Sequence, residues 1–243
     1  MSKKEKYLTI SRLKKIPWLV HGFGLASFTP EDLKEDGKLA SFQTVEMKQE
    51  HSSRVYYLEG PPADRLAGDG LVTGAEGLLL IIKTADCLPV FLIDIKNRVV
   101  AAVHCGWRST YLEILLATVN LMKEKFSSQA ENLLAALGPC IEKDCYEVGL
   151  EIFENFSAAG FKTDFIFWPS RNQGRFYLDL RKANWWFLVE RLGLKPENIF
   201  QLNQCTFCQP GLHSFRRNKE KSLRLINFIG IQPQLMVNRA VNE

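Results

Sequence analysis

The chain has 243 residues, of which 46% are hydrophobic and 11% aromatic, ample for a large core and within the range of one α/β unit. Its 31 Lys and Arg against 27 Asp and Glu leave a net charge of +4, too mild for nucleic-acid binding without a local basic stripe. No apolar stretch reaches the roughly 20 residues that cross a bilayer, and the start MSKKEKYLTI lacks the apolar core of a secretory signal. A cytoplasmic protein with no nucleic-acid or membrane partner is therefore expected. Six cysteines spread over such a chain are then reduced thiols or metal ligands rather than a disulfide frame.

Residues 2–6 read as a solvated basic tail, and residues 16–21 as a short strand entering a glycine turn at Gly22-Phe23-Gly24. Residues 27–38, with a proline and alternating acids and bases, read as a mobile surface loop. Residues 42–50 and 54–59 are read as two strands flanking the polar turn His51-Ser52-Ser53, with His51 at its apex. Gly68-Asp69-Gly70 is a turn that feeds Leu71-Val72-Thr73.

The most informative stretch follows. Residues 78–82 and 88–93 are apolar runs either side of Lys83-Thr84-Ala85-Asp86-Cys87, and a third run, 99–103, ends on His104. A half-exposed strand would show a polar residue at every second place, so these runs predict strands covered on both faces. Cys87 and His104 then stand at strand mouths. Residues 110–126 have the helical period, with Thr110 as a candidate N-cap. Leu133–Leu137 is a further buried strand, stopped at Gly138-Pro139-Cys140. Residues 146–156 and 180–192 read as helices, the second opened by Asp179 and closed by Gly193. Residues 199–202 and 223–229 complete the strand set. Strands alternating with helices give an α/β class, and no composition shift marks a domain boundary.

Three residues at segment ends, His51, Cys87 and His104, match one donor set of catalytic zinc, which uses imidazole and thiolate and keeps a fourth position open. Spacing alone leaves the alternative that the thiol is a small buried hydrophobe and the imidazoles are merely hydrogen-bonded. Cys140, Cys145, Cys205 and Cys208 suggest a structural four-thiol zinc site, although only Cys205 and Cys208 have the knuckle spacing, and ordinary reduced thiols fit equally. Of the adjacent Arg216 and Arg217, one can face a pocket and grip phosphate or carboxylate in a bidentate fork. Gly106, in His104-Cys105-Gly106-Trp107-Arg108, allows close backbone approach to a ligand. Asp69 and Asp86 are either acid–base groups or acceptors of backbone N–H bonds in their turns. There is no third glycine after Gly24 to make a dinucleotide loop, and no G-x-S-x-G elbow.

Four motifs in order carry a resemblance over nearly the whole chain: Lys83-Thr84-Ala85-Asp86-Cys87-Leu88-Pro89-Val90; His104-Cys105-Gly106-Trp107-Arg108; Gly138-Pro139-Cys140 with Cys145-Tyr146-Glu147-Val148-Gly149; and Cys205-Thr206-Phe207-Cys208 with Ser214-Phe215-Arg216-Arg217. The chain resembles the YfiH family, also called the laccase-domain or multicopper polyphenol oxidase family and described as purine nucleoside phosphorylases. The resemblance implies one α/β domain over residues 1–243, a layered sandwich of helices on β-sheet like the catalytic domain of a cytotoxic necrotizing factor. It also implies a metal held by His51, Cys87 and His104. Three departures from the family's motifs stand at Glu50-His51-Ser52, at Cys105 and at Leu212-His213. They leave the implied ligands intact and bear on pocket shape.

What the resemblance implies for function is a zinc-dependent enzyme acting on a small purine nucleoside and phosphate, by phosphorolysis or by deamination of adenosine, as a monomer or homodimer. His51, Cys87 and His104 are the implied catalytic residues, with Arg216, Arg217 and Arg108 as the cations available to substrate. The rival is a metal-independent Cys–His hydrolase or amidase, with Cys87 as nucleophile and His104 as base, acting for example on cell-wall peptide precursors. Copper-dependent phenol oxidation is disfavoured, because a multicopper site needs many imidazoles and the chain has 4 His in all.

Overall fold

The computed structural model describes residues 5–219 and 223–233, so most of the expected basic tail at residues 2–6 lies outside the described residues. Six strands form one sheet, in the spatial order Ile199–Gln201, Leu133–Leu137, Leu88–Asp94, Val99–Cys105, Gly70–Thr73 and Val55–Leu58. A second sheet has five, Tyr7–Leu8, Leu19–Gly24, Leu225–Ile231, Leu78–Thr84 and Gln43–Glu46. A third is small: Glu147–Gly149, Arg175–Leu178 and Phe167–Pro169.

The two large sheets pack face to face. Leu80, Ile82 and Ile229 from one meet Phe91, Ile93, Val100 and Ala102 from the other, and Phe23 stacks on Phe91 with ring centroids 4.6 Å apart. The outer face of the six-stranded sheet, with Val90, Leu92, Ala101 and Val103, lies under the helices Ile114–Phe126, Leu150–Ala158 and Leu180–Trp186. The outer face of the other sheet, with Leu79, Ile81 and Phe228, is covered by Phe28, Leu33 and Leu39. Successive side chains of a strand point to opposite faces, so both sets of positions are buried and the runs read as unbroken apolar stretches. Most of the pairings are antiparallel, for example Leu88–Asp94 against Val99–Cys105. Burial on both faces therefore comes from sheet-on-sheet packing with helices outside. Each fully buried Leu or Ile contributes on the order of 1.5 to 3 kcal/mol.

Several expected elements differ. Gly22 and Gly24 lie inside the strand Leu19–Gly24 rather than in a turn; a Cβ at Gly22 would come within 2.3 Å of the Phe228 ring, so the residue is small because the neighbouring strand's aromatic lies on it. The expected loop at residues 27–38 contains the helix Pro30–Glu35, opened by Pro30 in the first turn and by the Thr29 N–H donating to Asp32 Oδ2 at 2.8 Å. The strands around His51 do not form a hairpin. Gln43–Glu46 runs parallel to Leu78–Thr84 in one sheet, and Val55–Leu58 runs parallel to Gly70–Thr73 in the other. The helix expected over residues 110–126 is split into Trp107–Tyr111 and Ile114–Phe126 by Glu113, whose φ is 58°. Thr110 is no cap; it is buried and receives a hydrogen bond from Asn184 Nδ2 at 3.1 Å. Residues 147–149 of the expected 146–156 helix are a strand, and the helix starts only at Leu150. Asp179 does open its helix, accepting from the Lys182 N–H at 2.9 Å, and the last turns, Phe187–Arg191, widen to π geometry. Among the described residues, no helix is long and apolar enough to cross a membrane.

Candidate metal centre

His104 is the penultimate residue of a buried strand, and the register that pairs it with Pro89 brings Cys87 beside the same sheet end. Cys87 itself is turned by Asp86, which has φ 86°. A left-handed conformation at a residue other than glycine costs of order 1 kcal/mol or more, and here two acceptor contacts hold it. Asp86 Oδ1 accepts from Thr206 Oγ1 at 2.7 Å, and Oδ2 accepts from the Arg216 backbone N–H at 2.6 Å.

His51 arrives from the segment that crosses between the two sheets, and it too is left-handed, at φ 58°. Its turn wraps the carboxylate of Asp69. The N–H groups of Glu50, His51 and Ser52 donate to Asp69 at 3.2, 3.0 and 2.7 Å, and the Ser52 hydroxyl adds a fourth bond at 2.8 Å. Asp69 is fully buried. The same carboxylate accepts from His104 Nδ1 at 2.7 Å, so one side chain holds the His51 turn through its backbone and the His104 imidazole directly. Of the two alternatives that sequence left for Asp69 and Asp86, both act here as acceptors that shape turns.

The ligand atoms of His51, Cys87 and His104 lie within 4.8 Å of one another. His51 Nε2 is 3.8 Å from Cys87 Sγ, and the two imidazole rings are 4.8 Å apart at 72°. Donors around a tetrahedral zinc, at about 2.0 to 2.3 Å from the ion, stand roughly 3.3 to 3.8 Å apart. The set fits such an ion. With Nδ1 of His104 donating to a carboxylate, its Nε2 is the atom left for a metal, the usual carboxylate–histidine–zinc arrangement. Gly106 makes room, because a Cβ there would sit 2.9 Å from His51 Cδ2 and 3.2 Å from Cys87 Sγ.

The electrostatics of these groups are opposed to their burial. Burial pushes the Cys87 thiol up, but the facing His104 charge and hydrogen bonds from both imidazoles bring it down to about 6. Burial pulls His104 down, yet the Cys87 thiolate and Asp69 raise it to about 9. Burial raises Asp69, and the bonds from His104 and Ser52 hold it at about 2. Cys105, on the other face of the strand, is buried in the core, which raises its thiol well above the ordinary range.

The three arginines have different surroundings. Arg216 Nη1 donates to the Glu147 carbonyl at 3.0 Å, and its guanidinium lies 5.3 Å from the Tyr146 ring centroid. Arg217 clamps a loop: Nη1 donates to the carbonyls of Thr206, Phe207 and Gln209 at 2.9, 2.7 and 3.4 Å, and Nη2 to that of Leu212 at 2.6 Å. Arg108 is exposed and stacks 5.0 Å from Trp107. Tyr146 is a residue that reading the sequence did not assign to the site. Burial first, then the charge of Cys87, raise its phenol, while Arg216 works against both. Its only signal in the sequence was its place in the Cys145-Tyr146-Glu147-Val148-Gly149 motif. Two cavities, of about 460 and 710 Å³, lie elsewhere, one beside Lys182 and Trp185, the other beside Tyr7 and His21.

Residues 31–232 match the family model described as multi-copper polyphenol oxidoreductase laccase. The chain is 37% identical over 141 residues to adenosine deaminase RL5 of an unidentified prokaryote, covering 58% of this chain and 53% of that protein. It is 34% identical over 164 residues to a purine nucleoside phosphorylase of Bacteroides thetaiotaomicron, covering 67% of this chain and 60% of that one. The matched region thus spans between half and two thirds of those two relatives. In fold, it superposes on the crystal structure of the Bacillus licheniformis hypothetical protein YfiH with a TM-score of 0.85, at 24% identity and over 93% of this chain and 97% of that one.

Proposed function

Because the chain belongs to the multi-copper polyphenol oxidoreductase laccase family, also known as the YfiH family, we propose that it is a zinc-dependent purine nucleoside enzyme working at His51, Cys87 and His104. The observation that carries the reading is the convergence of these three donors within 4.8 Å, with Asp69 bonded to the His104 imidazole and to the backbone of His51. The names of its relatives, a purine nucleoside phosphorylase and an adenosine deaminase, supply the substrate class.

Held by His51, Cys87 and His104, zinc would supply a Lewis acid and a means of activating water near neutral pH. The rest is done by the chain. Asp69 keeps the Nδ1 proton on His104 and so fixes which nitrogen faces the site. Arg216 is the phosphate-binding cation of this reading, because it stands beside Tyr146 and the Asp86 turn, whereas Arg217 is engaged by four carbonyls and Arg108 lies over Trp107. In phosphorolysis, a phosphate oxygen bonds to the anomeric carbon, the glycosidic C–N bond breaks, and the purine leaves with a proton. The phosphate itself carries the proton that the purine takes, and Tyr146, kept protonated by burial beside Arg216, is an O–H donor to the substrate. In deamination, water replaces the amino group of adenosine, giving inosine and ammonia.

Incubation with adenosine, with and without phosphate, followed by separation of adenine, inosine and hypoxanthine, tests the reading. Adenine that appears only with phosphate marks phosphorolysis, and inosine without phosphate marks deamination. Absence of any turnover in metal-loaded protein overturns the proposal.

A second reading is favoured by one feature. A thiol lowered to about 6 beside an imidazole raised to about 9 is the charge state of a Cys–His hydrolase. That reading predicts amide hydrolysis by protein stripped of metal.

A further inference from the structure

A second group of thiols gathers away from the first set of ligands. Cys145, Cys205 and Cys208 place their sulfurs within 4.8 Å of one another, with Cys145 Sγ 3.3 Å from Cys208 Sγ. Two separate segments contribute, one ending the Lys143–Cys145 turn and one following the strand Ile199–Gln201. Cys205 and Cys208 have the knuckle spacing of structural zinc sites. The backbone N–H of Glu142 points at Cys205 Sγ from 3.5 Å. Cys140, the fourth member of the expected set, is packed in the apolar core and stands outside this cluster, so a four-thiol site is not formed.

We propose that Cys145, Cys205 and Cys208 hold a second metal ion, a soft divalent cation of the zinc type, with solvent in the fourth position on the side of the exposed Cys208. Thiolate sulfur selects ions of this kind over the hard cations that prefer oxygen. Binding breaks three S–H bonds, forms three S–metal bonds and releases three protons to solvent. The ion joins two segments that the bond from the Thr206 N–H to the Cys140 carbonyl already brings together, and both border the first site. Cys145 precedes Tyr146, and Thr206, between the other two ligands, donates to Asp86 next to Cys87. The second ion therefore acts as a tether behind the wall of the first site. This inference stands whether or not the protein acts on nucleosides.

The test is a metal count on the whole chain, stripped with a chelator under reductant and then titrated with Zn²⁺ alone or with Co²⁺ alone. Wild type is expected to retain two ions per chain after desalting, Cys208→Ala one, Cys87→Ser one, and the double variant none. The Cys87→Ser protein is expected to keep most of the thiolate-to-cobalt charge-transfer absorption, because three of the four coordinating sulfurs remain, and Cys208→Ala to lose most of it. Circular dichroism checks that each variant is folded. Metal content in Cys208→Ala equal to that of reduced wild type would overturn the proposal. Failure at the first site alone shows instead as one ion in wild type, still one in Cys87→Ser, and none in Cys208→Ala.

Discussion

Asp69 and His104 are joined twice: the Asp69 carbonyl accepts the His104 backbone N–H at 2.8 Å, and its Oδ1 accepts His104 Nδ1 at 2.7 Å. The first bond places the imidazole at the strand end, and the second selects its tautomer. The same carboxylate holds the His51 turn, so a single buried group governs the direction of two of the three ligands.

Asp69→Asn tests that dependence. The amide brings N–H groups to a place where the site already supplies donors, and it cannot carry the negative charge that polarises His104. Metal affinity is expected to fall on the order of 10- to 100-fold, read by competition with a chromophoric chelator. Unchanged affinity would mean that Asp69 acts on the fold alone.

The metal-free site should show its charge state in thiol chemistry. With Cys87 at about 6, its alkylation by iodoacetamide in chelator-treated protein rises with a midpoint near pH 6, and falls away below it as the thiol is reprotonated. His104→Ala removes the facing charge and is expected to move that midpoint upward. Mass spectrometry of the peptide containing Cys87 separates it from the other thiols.

Gly106→Ala isolates sterics. Gly106 has φ −74° and ψ 169°, ordinary for any residue, so the backbone accepts alanine and only the ligand contacts suffer. The added carbon meets His51 and Cys87 at 2.9 and 3.2 Å. Metal affinity is expected to drop about 10-fold or more, while the unfolding free energy of the metal-free protein, read in urea, falls by only about 1 to 3 kcal/mol.

Adjacent arginines should part company. Arg217→Ala removes four bonds to carbonyls and is expected to cost about 2 kcal/mol or more of stability in urea unfolding. Arg216→Ala is expected to leave stability closer to wild type and to raise the KM for phosphate about 10-fold or more, with a smaller effect on the KM for nucleoside. The reverse pattern would exchange their roles.

The apolar runs at 78–82, 88–93, 99–103 and 133–137 were legible because burial on both faces leaves no polar position in a strand, whatever its partners. The capped starts were only partly legible. Asp179 announced its helix, but Thr29 and Pro30 were obscured by the alternating charges that follow, which a short surface helix carries as readily as a loop. The motifs of the family, more than any spacing, singled out His51, Cys87 and His104.

What remained for the tertiary structure was every relation between distant segments. A polar turn between two β-like runs reads locally as a hairpin, and nothing near His51 in the chain says that its flanking strands join different sheets. The buried contact of Thr110 with Asn184, the break at Glu113 and the removal of Cys140 from the other thiols depend likewise on residues far along the chain. The sequence by itself determined which strands are buried and which donor types are present. The meeting of three donors under one carboxylate was decided by sheet register and packing, because ligand distances are set by neighbours in space and periodicity reports only neighbours in sequence.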